Sequence, residues 1–155
     1  MCANRGPDHL KAGVALLFCA DQNQPMQTLE DTIARVKEFH ETFGLEFHQE
    51  PSNVSEKIIA LRHRLMQEEN DEYLEAATNG DLTLIADALG DKLYILCGTI
   101  LAHGLQHKIV EVFNEIHRSN MSKLDDDGKP LYREDGKILK SNNYFLPDIK
   151  SILEK

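Results

Sequence analysis

Glu68, Glu69 and Glu72 crowd one turn of a long polar helical pattern, and Asp87 and Asp91 sit on the pattern that follows it. Side chains three or four apart share a helix face, so each set projects its carboxylates to one side. Leu93, Tyr94, Ile95, Leu96, Cys97, Gly98, Thr99, Ile100 and Leu101 come next and are apolar nearly all round. A helix of that kind belongs at the centre of a fold. Acids on it need a compensating charge, because ionised carboxylates are rarely buried unpaired. Two acidic helices must therefore lie side by side around a cation. Oxygen donors without a thiolate or imidazole suit magnesium, with manganese possible. A solvated face is the ordinary fate of glutamates on a helix, but Asp91 on the apolar helix favours a metal site of the kind built between facing bundle helices.

The remaining pattern is helical too. Leu29, Ile33, Val36, Phe39 and Phe43 recur at helical spacing and predict a helix over 28–43, stopped by Gly44. Ser52, Asn53 or Ser55 caps the glutamate helix, which runs to about residue 78. Asn79, Gly80 and Asp81 form a turn, with Asp81 the natural cap of a third helix ending near His103 and Gly104. A fourth helix spans about 107–119, with Ile109, Val112, Phe113 and Ile116 inward. Two near-copies, Asp127-Gly128-Lys129 and Asp135-Gly136-Lys137, then predict tight turns or a small β-hairpin. Asp148 caps a last short helix. The expected fold is all-α: a four- to five-helix bundle with a short irregular or hairpin C-terminal arm.

Length and charge narrow the function. At 155 residues the chain suits one domain with its own core. A net charge of -9 argues against general nucleic-acid binding, which depends on cationic side chains. Cys2, Cys19 and Cys97 are odd in number and form no zinc spacing, and no apolar run has membrane-spanning length. A cytoplasmic protein without a membrane partner is expected. Lys11 followed by the apolar run 12–20 imitates a signal-peptide core but lacks a small-x-small cleavage site. Residues 1–25 are therefore read as an N-terminal extension, and 26–155 as the functional domain.

Other constellations carry less. His103 and His107 are four apart, but Gly104 interrupts them, and they read as helix-end histidines. Asp125, Asp127, Gly128 and Glu134 sit at calcium-loop offsets, but Lys123 occupies the first ligand position and Pro130 lies inside, so a calcium loop is rejected. Arg118, Asn120, Ser122 and Lys123 cluster at a helix end, where they form a polar cap or grip a phosphate chain, with Lys137 and Lys140 adding cations from the arm.

Taken in order, Glu68-Glu69-Asn70-Asp71-Glu72 and Asp87-Ala88-Leu89-Gly90-Asp91-Lys92 resemble the ExxE and ExxD pattern of the all-α nucleoside triphosphate pyrophosphohydrolases. That superfamily includes MazG, the dimeric dUTPases and phosphoribosyl-ATP pyrophosphohydrolase. Phe39-His40-Glu41-Thr42-Phe43-Gly44, the run from Val112 through His117-Arg118-Ser119-Asn120-Met121-Ser122-Lys123, Asp135-Gly136-Lys137 and Pro147-Asp148-Ile149 extend the likeness to the MazG-like, phosphoribosyl-ATP-pyrophosphohydrolase-like subgroup. One position departs from the pattern: three residues before Asp91 the family has glutamate and this chain has Ala88, with Asp87 one residue earlier and about 100° away around an ideal helix.

The resemblance implies a MazG-like bundle that hydrolyses a nucleoside triphosphate to the monophosphate and pyrophosphate, as in nucleotide-pool cleaning. It implies Glu69, Glu72 and Asp91, with Asp87, as magnesium ligands and Glu68 as the acid that orients or deprotonates water. Arg118, Asn120, Lys123, Lys137 and Lys140 are implied as substrate-binding residues, and a homodimer or homotetramer as the assembly. Phosphoribosyl-ATP is the alternative substrate, and a non-catalytic nucleotide-sensing module the non-enzymatic alternative. Deleting residues 1–25 is expected to leave pyrophosphate release intact, measured side by side with the full chain. A large loss would show that the extension contributes.

Overall fold

A computed structural model describes residues 28–155, so the extension with its short apolar run lies outside the described residues. Five helices follow in order: α1 Leu29–Phe43, α2 Glu56–Asn79, α3 Leu82–Ala102, α4 Ile109–Met121 and α5 Ile149–Leu153. Local chemistry sets their ends. Thr28 and Asp31 form a reciprocal capping box at the start of α1. Ser55 Oγ accepts from Ile58 N at the start of α2, and Asp81 Oδ1 accepts from Thr83 N and Leu84 N at 3.0 and 3.1 Å. Gly80 takes φ 70° to close α2, a left-handed conformation that suits glycine. With only Gly80 and Asp81 between them, α2 and α3 fold back as antiparallel neighbours. They form the most extensive pairing in the molecule, while α1 leans on α3 and α5 on α4.

The core is small and lies between α1 and α3. Ile33, Val36, Cys97, Ile100 and Leu101 are buried together, with Leu29, Phe47, Leu105 and Ile109 packed around them. The α1–α2 loop is tied to the end of α3: His48 N donates to Leu101 O, Ser52 N to His103 O, and Gln106 Nε2 to His48 O. A Cβ on Gly104 would lie 2.0 Å from Glu50 O, so this crossing needs glycine. The same knot delays α4, which starts at Ile109 rather than at the expected 107. His103 Nδ1 lies 3.1 Å from Ser52 O, in keeping with its reading as a helix-end residue.

The all-α expectation holds, and the hairpin alternative for the arm survives in its smallest form, a single antiparallel bridge between Tyr132 and Ile138. Ser119 Oγ donates to Phe145 O and Ser141 Oγ to Leu124 O, both at 2.7 Å, tying the arm to the end of α4. Asp125 Oδ1 accepts from Asp127 N and Lys129 N and so closes a turn. No helix among the described residues is long and apolar enough to cross a membrane.

Burial departs from the helical pattern in a consistent way. On α1, Ile33, Val36 and His40 are buried, whereas Phe39 and Phe43 are exposed. On α3, expected to be enclosed, Leu82, Leu84, Leu89, Leu93 and Leu96 all remain exposed. Phe113 and Ile116 of α4, read as inward, are exposed too. The apolar stripes are present, but the described helices do not cover both sides of α3. Leu101, fully enclosed, tests where the core lies: Leu101→Ala should cost about 3 kcal/mol in urea denaturation, as large-to-small core substitutions do.

Candidate active site

Ala76 of α2 and Ala88 of α3 are both buried, and small side chains at a seam let two helices approach closely. The acids flank these alanines. Glu69 is half-buried, while Glu68, Glu72, Asp87 and Asp91 stand exposed. Glu69 Oε2 is buried without a hydrogen-bond partner. The Glu69 carboxyl titrates above its ordinary value, chiefly from loss of hydration and then from the negative charges of Glu72, Asp91, Glu68 and Asp87. Five carboxylates from two helices thus converge on one place. Ala88 fills the seam where the family pattern carries glutamate, and the adjacent Asp87 contributes its charge to the cluster.

Among the described residues no three acid, histidine or cysteine side chains already stand as a ligand set. Glu68 carries a loose pair with Arg64 at 3.7 Å. Glu72, Asp87 and Asp91 are exposed, so their side chains are free of close packing. All-oxygen donors around a desolvated, unpartnered carboxylate oxygen fit a hard divalent cation such as magnesium. A cavity of about 200 Å³ opens beside them, lined by Glu72, Glu75, Ala76, Asn79, Leu84 and Asp87.

The residues expected to grip phosphate fall elsewhere. Arg118 Nε and Nη2 each donate to Glu115 at 2.8 Å, and its guanidinium stacks 4.3 Å from the Phe145 ring centroid. These bonds and that of Asp148 N hold the Glu115 carboxyl at about 2. Lys123 Nζ donates to Asn120 Oδ1, and Lys140 Nζ lies over Tyr144 at 4.2 Å. Lys137 is exposed on the arm. No hydrogen bond or ion pair among the described residues joins these groups to the acids, so one chain gathers two sets on different elements. The sequence suggested both sets but not their separation, which depends on where α4 packs.

Two neighbours of the acid seam, Arg62 and Gly98, were given no role from the sequence. Arg62, His40 and Gly98 meet inside the helix layer, with a Cβ on Gly98 placed 2.4 Å from Arg62 Nη2 and 3.2 Å from His40 Nε2. Burial, and then the Arg62 charge, push the His40 imidazole below its ordinary value. A glycine inside an otherwise strong helix former was the available signal. Phe39 packs edge-on to Tyr94 at 5.7 Å and tilts on Phe43 at 4.4 Å, an exposed aromatic patch one turn along α3 from Asp91.

A helical hairpin whose facing sides carry this acid cluster defines the class, a nucleotide pyrophosphohydrolase of the all-α, MazG-like superfamily. The chain belongs to the phosphoribosyl-ATP pyrophosphohydrolase family, whose sequence pattern matches residues 36–120, more than half of its length. The match includes both acid sets and ends as α4 closes. No curated protein matches the chain.

The crowding of Glu69 has a sign that can be measured. Its raised value means that the folded chain binds more protons than the unfolded one from the ordinary 4.5 upward, so stability falls as pH rises through that window. With metal removed by chelator, Glu69→Gln should melt above wild type at neutral pH, and the gap should close below the ordinary carboxylate range. Scanning calorimetry at several pH values reads this directly. A variant that melts no higher than wild type at neutral pH would show that the acids do not repel one another.

Proposed function

We propose that the chain hydrolyses a nucleoside triphosphate, preferably a deoxyribonucleotide, to its monophosphate and pyrophosphate with a divalent cation at the α2–α3 acid cluster. The observation that carries this reading is the buried, unpartnered Oε2 of Glu69 among four further carboxylates. Glu69, Glu72 and Asp91, with Asp87 in place of the family's usual glutamate, would hold magnesium. Bound there, magnesium supplies charge neutralisation at the phosphate oxygens and makes a nearby water easier to deprotonate. Glu68, exposed at the rim and only loosely held by Arg64, is the proton acceptor for that water. As the water oxygen joins phosphorus, the bridging P–O bond breaks and pyrophosphate leaves. Arg118, Asn120, Lys123, Lys137 and Lys140 supply the complementary charge and hydrogen bonds for the phosphates. The exposed Phe39, Phe43 and Tyr94 patch offers a flat apolar surface to a base.

The exposed leucines of α3 support a homo-oligomer, a dimer or tetramer, in which a second copy covers them. Such an assembly is also the way for cations on one chain's α4 and arm to reach acids on another. The family match favours a second substrate, phosphoribosyl-ATP, which shares the triphosphate but presents a larger head group. Ala88 keeps open a nucleotide-sensing module that binds without turnover.

Pyrophosphate release from a panel of ribo- and deoxyribonucleoside triphosphates and phosphoribosyl-ATP, with and without magnesium, tests these readings together. Magnesium-dependent release from a deoxyribonucleotide is expected. Glu69→Gln and Asp91→Asn should each lower turnover about a hundredfold or more, the equivalent of several kcal/mol of lost charge stabilisation, while circular dichroism stays helical. Wild-type rates in both variants would remove the acid cluster from catalysis. Binding of a triphosphate without release from any substrate would favour the sensing module.

A further inference from the structure

Arg62 is a cation set into the α2–α3 seam with no acid opposite it. Its Nε donates to Thr99 Oγ1 at 3.0 Å and its Nη2 to the Ile95 carbonyl at 2.7 Å. Thr99 Oγ1 donates in turn to that same carbonyl at 2.8 Å. No carboxylate among the described residues lies within ion-pair distance of the guanidinium. A half-buried guanidinium facing only neutral oxygens loses hydration without regaining a counter-charge, and an apolar residue of similar size would serve packing better. Its benefit has to be geometric. A planar fork that engages a backbone carbonyl and a side-chain hydroxyl of the neighbouring helix fixes both the height and the rotation of one helix against the other.

Gly98 points the same way. It is buried in the interior of α3, where glycine costs helix stability relative to alanine. Its missing side chain is the space that the Arg62 guanidinium occupies, since a Cβ there would meet Nη2 at 2.4 Å and Cζ at 3.3 Å. Arg62 and Glu69 are seven residues apart on α2, two turns along one stripe. Asp91 lies one turn before Ile95 on α3, and the helices run antiparallel. The fork and the acids are therefore neighbouring stations on a single seam. A slip of one residue along α2 would move Glu69 by about 1.5 Å and turn it by about 100°.

We propose that Arg62, seated in the notch left by Gly98, is a positioning residue that sets the register at which Glu69 and Glu72 face Asp91 and Asp87, and thereby the affinity of this site for a divalent cation. The proposal rests on the acid-cluster reading above, and its test separates the two. Manganese binding to the full chain is followed by the electron paramagnetic resonance signal of free Mn²⁺, and folding by circular dichroism and melting temperature. Wild type should bind, and Glu69→Gln should not. Arg62→Met and Gly98→Ala should weaken binding on the order of tenfold or more, as losing groups that orient metal ligands does, at temperatures where both remain folded. Gly98→Ala is the sharper variant, because alanine favours the helix while displacing the fork.

Thr99 provides a pair in which the core is barely disturbed. Thr99→Val removes the Nε acceptor at constant shape and should weaken Mn²⁺ binding, whereas Thr99→Ser should restore it. A merely structural role would lower the melting temperature of these variants and leave the affinity of the folded protein unchanged. That result in Arg62→Met and Gly98→Ala, or in Thr99→Val should those two fail to fold, overturns the positioning role and leaves the acid site standing. Failure of wild type to bind Mn²⁺, or equal binding by Glu69→Gln, overturns the acid-site reading and the positioning role with it.

Discussion

Like charge gathered along one helical seam is the constraint around which this molecule is arranged. Hydration is what ordinarily keeps neighbouring carboxylates apart in energy, and at Glu69 part of that hydration has been removed while four other acids remain close. Nothing in the acids themselves draws α2 toward α3. The approach is imposed by the two-residue Gly80-Asp81 turn, by the small Ala76 and Ala88 at the crossing, and by the Arg62 fork on the far side of the acids. In the proposed reading a bound divalent cation would offset that repulsion.

The rest of the architecture is economical around that seam. The buried cluster joins α1 to the C-terminal half of α3, which leaves the acid-bearing half of α3 with α2 as its main cover. The arm and α5 form a second assembly on α4, held by serine hydroxyls and by the Glu115 carboxylate, which links Arg118 to Asp148 N. Exposed leucines on α3 and exposed Phe113 and Ile116 on α4 are apolar surface left open among the described residues. That surface is the observation behind the proposed homo-oligomer.

Much of this was legible in the residues because it depends on local chemistry. Asp81 and Asp148 read as caps from side-chain type and position alone, Ser55 was one of three candidates for the start of α2, and each accepts the expected backbone hydrogen bonds, whereas the capping role of Thr28 came only with the structure. Glu69 and Asp91 could be paired across the turn because helical spacing gives each a face and a short turn leaves adjacent antiparallel helices. The delayed start of α4 was not legible, since the knot around Gly104 and Glu50 joins segments far apart in sequence. Nor was the exchange of roles on α1, where His40 is buried and Phe39 exposed: periodicity marks a stripe, but the edge of a stripe is buried only where a neighbour reaches it.

The sequence by itself determined the helices, most of their caps and turns, and the acid set carried by two successive helices. These follow from interactions within a few residues, for which side-chain type and spacing are sufficient. Only the tertiary structure decided that Glu69 of the acid cluster has one carboxylate oxygen enclosed without a partner, that Arg62 reaches across to Ile95 and Thr99, and that Arg118 is taken up by Glu115. Desolvation, register and choice of partner depend on what the opposite helix brings to the same point in space. No spacing within one helix carries that information.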